Sequence, residues 1–307
     1  MKNKVRAGIL GHAIADSIGV PVEFKSRDEL NKNPVLDMIG FGTYNQPEGT
    51  WSDDTTMTLC LLDSLKKGVD YRDIMDKFSD WFNNGAYTPY NETFDVGNGT
   101  QRAIIRYING SHPLDCGGIK ENDNGNGALM RILPMAFYLV DNTPIEIARE
   151  VTKVASLTHN HIRSHIACVI YVFIAVCLIR GLKLGDAIDT GVKEALVVYK
   201  EEKELTKYDR LVSPDFKNTK RENIDSSGYV VSTLEAAIWC LLNTGSYEEA
   251  ILKAVNLGDD ADTVGAVTGG LAGIFYGAES IPEKWTNKLA RKEYIINLCD
   301  EFTESIK

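Results

Sequence analysis

The chain has 307 residues, 44% of them hydrophobic, and its 43 acidic residues outnumber 33 basic ones, for a net charge of -10. That length allows one large domain or two small ones with a substantial core, while the acidic balance argues against a nucleic-acid partner, which is held through basic patches. Six cysteines, at positions 60, 116, 168, 177, 240 and 299, form no CxxC pair and lie mostly in apolar helical runs, the pattern of buried free thiols in a reducing compartment.

Helical periodicity dominates and strand signals are scarce, so the expected fold is all-α. With no composition break and no internal repeat, residues 1–307 read as a single compact domain. A first helix over residues 4–18 stops at Gly19-Val20-Pro21 and leaves Glu23 in the loop that follows. His12 and Asp16 interrupt its apolar stretch, which argues against a signal peptide. Residues 24–52 are loop-rich, with Gly40, Gly42, Pro47 and Gly49, and end in Gly49-Thr50-Trp51-Ser52-Asp53-Asp54-Thr55. Helices are predicted from about Thr55 to Lys67, ending at Gly68, and over about 71–83, closing at Gly85. Two glycine-rich turns, Asp95-Val96-Gly97-Asn98-Gly99-Thr100 and Asn124-Gly125-Asn126-Gly127, open predicted helices at 100–109 and 128–140. Thr143-Pro144 starts another, with a capping hydroxyl and proline at the first helical position.

A long apolar helix over 161–180 reads as central. Its uncharged run from Ile166 to Ile179 is shorter than the ~20 residues a membrane span needs, so a soluble cytoplasmic protein with no membrane partner is expected. Residues 200–225 are charged and aperiodic and read as an exposed excursion. Helices at about 229–243 and 247–255 lead to Asn256-Leu257-Gly258-Asp259-Asp260-Ala261-Asp262-Thr263-Val264-Gly265, and amphipathic helices finish the chain.

That stretch organises the rest. An aspartate-rich turn runs into a helix of glycine, alanine and valine, in which Gly265, Gly269 and Gly273 fall four residues apart on one face. Each mid-helix glycine costs about 0.8–1 kcal/mol relative to alanine, which a chain tolerates where another backbone or a ligand must approach closely. Ser52-Asp53-Asp54 and Asp260-x-Asp262-Thr263 together supply four carboxylates and two hydroxyls from two helix starts. Either cluster alone reads equally well as a cap on its own helix. Together they form the oxygen-rich set that hard divalent cations prefer. Without cations the carboxylates would repel one another and their pKa values would rise; two cations a few ångströms apart would neutralise them.

The same residues resemble the ADP-ribosylglycohydrolase family along nearly the whole chain. The motifs, in order, are Gly19-x-Pro21-x-Glu23, Gly49 to Thr55, Asp95 to Thr100, Gly125-Asn126-Gly127-Ala128-Leu129-Met130-Arg131, Thr158-His159 and Asn256 to Ala266. The resemblance implies an all-α hydrolase with two Mg²⁺ or Mn²⁺ ions, held by Ser52, Asp53, Asp54, Asp260, Asp262 and Thr263. Ser52 stands where the family more often has threonine and keeps the hydroxyl. Asp259, where relatives often have glycine, would support the ligands from behind.

The implied reaction cleaves the bond between the terminal ribose of ADP-ribose and a modified side chain, most simply arginine on a protein, with ADP-ribose as product. Serine-linked, nucleotide-linked and small-molecule conjugates are alternatives. Glu23 matches a general acid/base or positioning residue, although an isolated glutamate in a Gly-Val-Pro loop would otherwise read as solvated. Asp54 belongs to the catalytic set as well as to the metal set. Asp95 matches an aspartate near the scissile linkage, where a carboxylate can take two parallel bonds from a guanidinium; its bland role would be an Asx turn or helix cap. Gly97, Asn98, Gly99 and Thr100 would cradle the diphosphate through backbone N–H groups, and Gly125, Asn126 and Gly127 would line the adenosine side. His159 would contact the substrate.

His161 and His165 share a helical face and raise the thought of zinc, but packing roles suit them better. An isoprenoid-type synthase would need Asp-Asp-x-x-Asp, and Asp53-Asp54 is followed by Thr55-Thr56-Met57. A non-catalytic ADP-ribose binder would be marked by loss of an acidic ligand, and all four are present.

Overall fold

The computed structural model describes residues 1–306. The chain folds into α1 (Lys2–Gly19), α2 (Arg27–Lys32), α3 (Asp53–Leu65), α4 (Tyr71–Asn84), α5 (Asn98–Ile108), α6 (Pro134–Tyr138) and α7 (Pro144–Ser156). It continues through α8 (Ile162–Ile179), α9 (Leu184–Val198), α10 (Val230–Leu242), α11 (Tyr247–Val255), α12 (Ala261–Tyr276), α13 (Glu283–Lys288) and α14 (Lys292–Ser305). Among the described residues there is no strand, only isolated bridges such as Gly125 to Tyr229. The all-α expectation holds.

The closest-packed pair is α1 with α12, and the glycine stripe is the reason. A Cβ added at Gly269 would lie 2.3 Å from the Gly11 carbonyl oxygen, and one at Gly273 would lie 2.1 Å from that of Ala7. The partner that needs the missing side chains is therefore the α1 backbone. At the end of the crossing, a Cβ on Gly19 would sit 2.3 Å from the Asp262 Cα. This close passage brings the end of α1 against the start of α12, and the site is built there.

Helix α8 is the core helix. Its 18 residues have a mean hydropathy of 2.2, long and apolar enough to cross a membrane, yet 89% of the span is buried inside the protein. It packs among α7, α9, α10 and α12. All six cysteines are buried and free. Caps set several boundaries: Asp70 accepts from the Arg72 and Asp73 amides at the start of α4, and left-handed Gly85 ends it. Thr143 and Glu146 form a reciprocal capping box on α7.

Four expectations change. The helix predicted over 128–140 is only α6, because Pro134 has no N–H and its ring excludes a helical turn before it. The 24–52 loop contains α2, started by a Ser26–Glu29 capping box. Helix α9 has no counterpart among the predicted elements; Gly185 and Gly191 weaken its local signal, and Gly191 lets α9 approach the α8 backbone, its Cβ position being 2.6 Å from the Ile174 nitrogen. Residues 200–225 are mostly exposed, as expected, but they form 3₁₀ segments, the first over Lys203–Val212, and bury Tyr208, Leu211, Phe216 and Ile224. The Tyr208 hydroxyl donates to the Arg163 carbonyl at 2.5 Å and the Trp239 indole to that of Thr219 at 2.9 Å, so this segment is a strap tied to the core.

Candidate active site

Two helix starts and one helix end supply the acidic groups. Ser52 caps α3, its hydroxyl accepting from the Asp54 amide at 3.3 Å, and Asp53 and Asp54 occupy the first turn. On α12, Asp260 precedes the first turn, which holds Asp262 and Thr263. From α1 comes Asp16, fully buried, and beyond a 3₁₀ turn at residues 20–22 comes Glu23, only 5% exposed. Glu23 is thus a buried group and not a solvated one.

Ligand-capable oxygens of Asp16, Asp54 and Asp262 lie within 4.8 Å of one another, and so do those of Glu23, Asp260 and Asp262. Asp262 is common to both triads. Asp54 Oδ2, Asp262 Oδ2 and Glu23 Oε2 are buried acceptors with no hydrogen-bond partner. Asp53 lines the same cleft but joins neither triad. The Thr263 hydroxyl reaches Asp54 Oδ1 at 3.4 Å. Burial, reinforced by neighbouring carboxylates, pushes Asp53, Asp54 and Asp262 well above the usual carboxylate range and Glu23 to about 9. Burial also raises Asp95 and Asp260. An all-oxygen set with unpartnered, mutually repelling acceptors fits hard divalent cations.

Asp16 is different. It accepts from the Ser52 and Thr55 amides, each at 3.0 Å, and from the Thr55 hydroxyl at 2.5 Å. Those bonds fix the start of α3, so Asp16 holds the loop that carries Asp53 and Asp54. Burial raises it to about 7 despite these donors. The sequence signal for it was an acidic residue on the buried face of an apolar helix. Asp259 is exposed and left-handed, at φ +57°. Its amide donates to the Lys25 carbonyl at 2.9 Å and its carbonyl accepts from Phe24 at 2.7 Å. It ties the two loops through its backbone, while its carboxylate faces Ser226 at 3.5 Å and joins neither carboxylate triad.

Glu23, Asp53, Asp95 and Asp260 open onto a cleft of about 530 Å³. Its other wall is the two glycine-rich turns, Gly97 to Thr100 and Gly125 to Gly127, with His159 between them. Helix α5 begins at Asn98 behind Gly97 with no side-chain cap, which leaves its first-turn N–H groups for the cleft. Asp95 does not cap it. Held at φ +54°, Asp95 accepts from the Tyr44 hydroxyl at 2.6 Å. Tyr44 packs against Phe94, with centroids 5.1 Å apart, and edge-on to Phe24 at 6.5 Å. Phe24 is 69% exposed at the rim. Neither Tyr44 nor Phe24 belongs to any motif read from the sequence.

The Asn126 side chain donates to Asp260 Oδ2 at 2.8 Å and to the Thr233 hydroxyl at 2.9 Å, so its amide is committed to the acidic cluster. His159 is buried, and its ring explains two glycines: a Cβ on Gly99 would lie 2.9 Å from Nε2, and one on Gly127 would lie 2.8 Å from Cε1. His161 caps α8 and His165 bonds the Ser156 hydroxyl at 3.1 Å. No metal-capable group among the described residues includes a histidine.

Comparison with known proteins adds four findings. A family model described as ADP-ribosylglycohydrolase matches residues 1–307. The chain is 35% identical over 302 residues to ADP-ribosylarginine hydrolase Tri1 of Serratia proteamaculans, covering 97% of this chain and 78% of that protein. It is 32% identical over 294 residues to the ADP-ribosyl-[dinitrogen reductase] glycohydrolase of Rhodospirillum rubrum, covering 94% and 91%. A solved structure, an ADP-ribosylglycohydrolase-related protein complex, superposes with a TM-score of 0.83 at 29% identity, over 100% of this chain and 99% of that one.

Proposed function

This chain belongs to the ADP-ribosylglycohydrolase family, whose members are hydrolases, and from that premise we propose that it removes ADP-ribose from arginine side chains of a modified protein, releasing ADP-ribose. The name of the relative from Serratia proteamaculans supports an arginine linkage, and that of the relative from Rhodospirillum rubrum supports a modified protein as target. Two Mg²⁺ or Mn²⁺ ions would be held by Asp54, Asp260, Asp262 and Thr263, with Ser52 and Asp53 from the start of α3. When bound, they supply Lewis-acid charge that steadies the vicinal ribose hydroxyls and activates water near neutral pH. The observation that carries this reading is Asp262, shared between two carboxylate triads that hold buried oxygens with no hydrogen-bond partner.

The remaining chemistry belongs to the chain's own side chains. Glu23 holds or delivers a proton at Oε2, its unpartnered oxygen. Asp95, fixed by Tyr44, accepts the guanidinium of the target arginine. Phe24 and Tyr44 offer aromatic faces beside those two carboxylates, and a planar guanidinium stacks well on such faces. Backbone N–H groups from Gly97 to Thr100 bind the diphosphate without adding positive charge to an acidic protein. Gly125 to Gly127 line the adenosine side through their backbone, since the Asn126 amide is engaged elsewhere. The buried thiols fit a cytoplasmic setting.

The test is release of free ADP-ribose from arginine-linked, serine-linked and nucleotide-linked conjugates, with magnesium or manganese and again with chelator. Arginine-linked substrate should turn over fastest, and chelator should abolish the reaction. Full activity in chelator would remove the metal reading; activity on serine-linked substrate alone would remove the arginine reading.

A further inference from the structure

We propose that Arg131 and Thr158 are positioning residues that hold His159 as its Nε2–H tautomer, so that the ring donates a hydrogen bond into the cleft, to an oxygen of the bound diphosphate. The identity of that acceptor rests on the reading of the cleft given above. The tautomer does not.

Arg131 is fully buried, its guanidinium carbon 4.8 Å from the centre of the Phe78 ring. Nη2 donates to the Thr158 hydroxyl oxygen at 2.8 Å and to the Val154 carbonyl at 3.1 Å. Nε and Nη1 have no partner, and the guanidinium makes no ion pair among the described residues. A guanidinium only donates, so Thr158 Oγ1 is the acceptor in that bond. Thr158 is itself fully buried, and its hydroxyl proton must find an acceptor of its own. The one acceptor it reaches is His159 Nδ1, at 3.0 Å.

The opposite arrangement, with His159 Nδ1–H donating to Thr158, would leave a buried hydroxyl proton unpaired and forfeit that group's full desolvation. Nδ1 is therefore the acceptor, and the ring proton sits on Nε2. Imidazolium is excluded for a separate reason. Burial, together with the nearby Arg131 charge, lowers His159 to about 3, so the ring is neutral at physiological pH.

Nε2 is the nitrogen that faces the two turns. A Cβ built on Gly99 would lie 2.9 Å from it and one on Gly125 would lie 3.5 Å away. A neutral donor therefore emerges beside the free amide groups at the start of α5. Neutrality matters here, because a cationic side chain would be drawn to the carboxylates of Glu23, Asp53, Asp95 and Asp260 across the same cleft. Arg131 thus contributes to anion binding while staying out of the cleft, by fixing which ring nitrogen carries the proton.

The experiment is a long-range nitrogen–proton correlation spectrum of protein labelled with ¹⁵N-histidine at neutral pH, with His159 assigned from H159Q. ADP-ribose affinity is measured in magnesium on the same samples. Wild type and Thr158→Ser should show an unprotonated Nδ1 and a protonated Nε2. Thr158→Val, which keeps the shape and loses the hydroxyl, should shift toward a mixture and bind ADP-ribose about tenfold more weakly, the worth of one hydrogen bond. Thr158→Ser should restore the affinity. A wild-type His159 protonated at Nδ1, or at both nitrogens, would overturn the proposal whether or not the valine variant folds. Unchanged affinity in Thr158→Val would overturn it as well. The expected tautomer in a wild type that does not bind ADP-ribose would support the Arg131–Thr158 relay and overturn the ligand reading instead.

Discussion

The contact between α1 and α12 can be tested with single methyl groups. Ordinary contact at a Cβ is 3.4–4 Å, whereas a methyl at Gly269 would meet the Gly11 carbonyl oxygen at 2.3 Å and the Ala15 Cβ at 2.5 Å. Both obstacles belong to backbone or to a side chain with no rotamer, so relief requires the helices to separate. Overpacking of this kind costs about 1–3 kcal/mol or more, and replacing a helical glycine by alanine returns ~1 kcal/mol. Gly269→Ala and Gly273→Ala should therefore lose about 2 kcal/mol each, or about 3 °C in Tm for a chain of this size. At Gly265 the nearest atom is the Ala15 oxygen at 2.9 Å, and the two effects should nearly cancel. Gly185→Ala is the control, since nothing lies within 4 Å of its Cβ position; it should be neutral or slightly stabilising. Thermal unfolding followed by circular dichroism, in chelator and in magnesium, gives the order. Separation at Gly269 also moves Asp262 relative to Asp16, so magnesium affinity should fall alongside stability. A Gly269→Ala protein that melts at or above the wild-type temperature would refute the argument, because it would show that the two backbones are not in contact.

Asp16→Asn should reduce magnesium affinity by about 10–100-fold, the usual effect of disturbing groups that orient metal ligands, while the helical dichroism is retained; calorimetric titration that finds unchanged affinity would show that Asp16 does not set the start of α3. Asp95→Ala should reduce kcat/KM for arginine-linked ADP-ribose by about 10–100-fold more than for the serine-linked form, and equal losses would remove Asp95 as the specificity element. For pH, Glu23 rises from 4.5 to about 9 and Asp16 from 3.8 to about 7 on folding. A raised carboxylate favours the folded state fully below its unfolded pKa, and that contribution is lost as pH climbs through the folded value. The metal-free protein should thus lose stability between about pH 4 and pH 9 through these groups, whereas bound cations replace the protons. His12 and His165, lowered to about 4 by burial, act alike in both forms and cancel. The gain in Tm on adding magnesium should grow from about pH 6 to about pH 9, and a flat or falling gain would count against cation binding at this cluster.

The parts of this protein written in local patterns were legible from sequence alone. Many helix positions follow from apolar periodicity and from caps such as Thr143 and Gly85, because a helix satisfies its own backbone within a few residues. The two aspartate turns and the Gly265–Gly269–Gly273 face were equally visible, since each lies within one element. Which groups converge is a different matter. The nearness of Asp262 to Asp54 and Glu23, the placement of Asp16 behind Ser52, the Tyr44 bond to Asp95 and the Asn126 bond to Asp260 all join residues remote in sequence. These contacts depend on how closely α1 and α12 cross and on where the intervening loops are pinned, and no local periodicity encodes either. The sequence determined most of the helices, though not α2, α9 or the extent of α6, and the chemistry of their ends; the tertiary structure decided which carboxylates share one buried space, because only packing across the whole chain sets those distances.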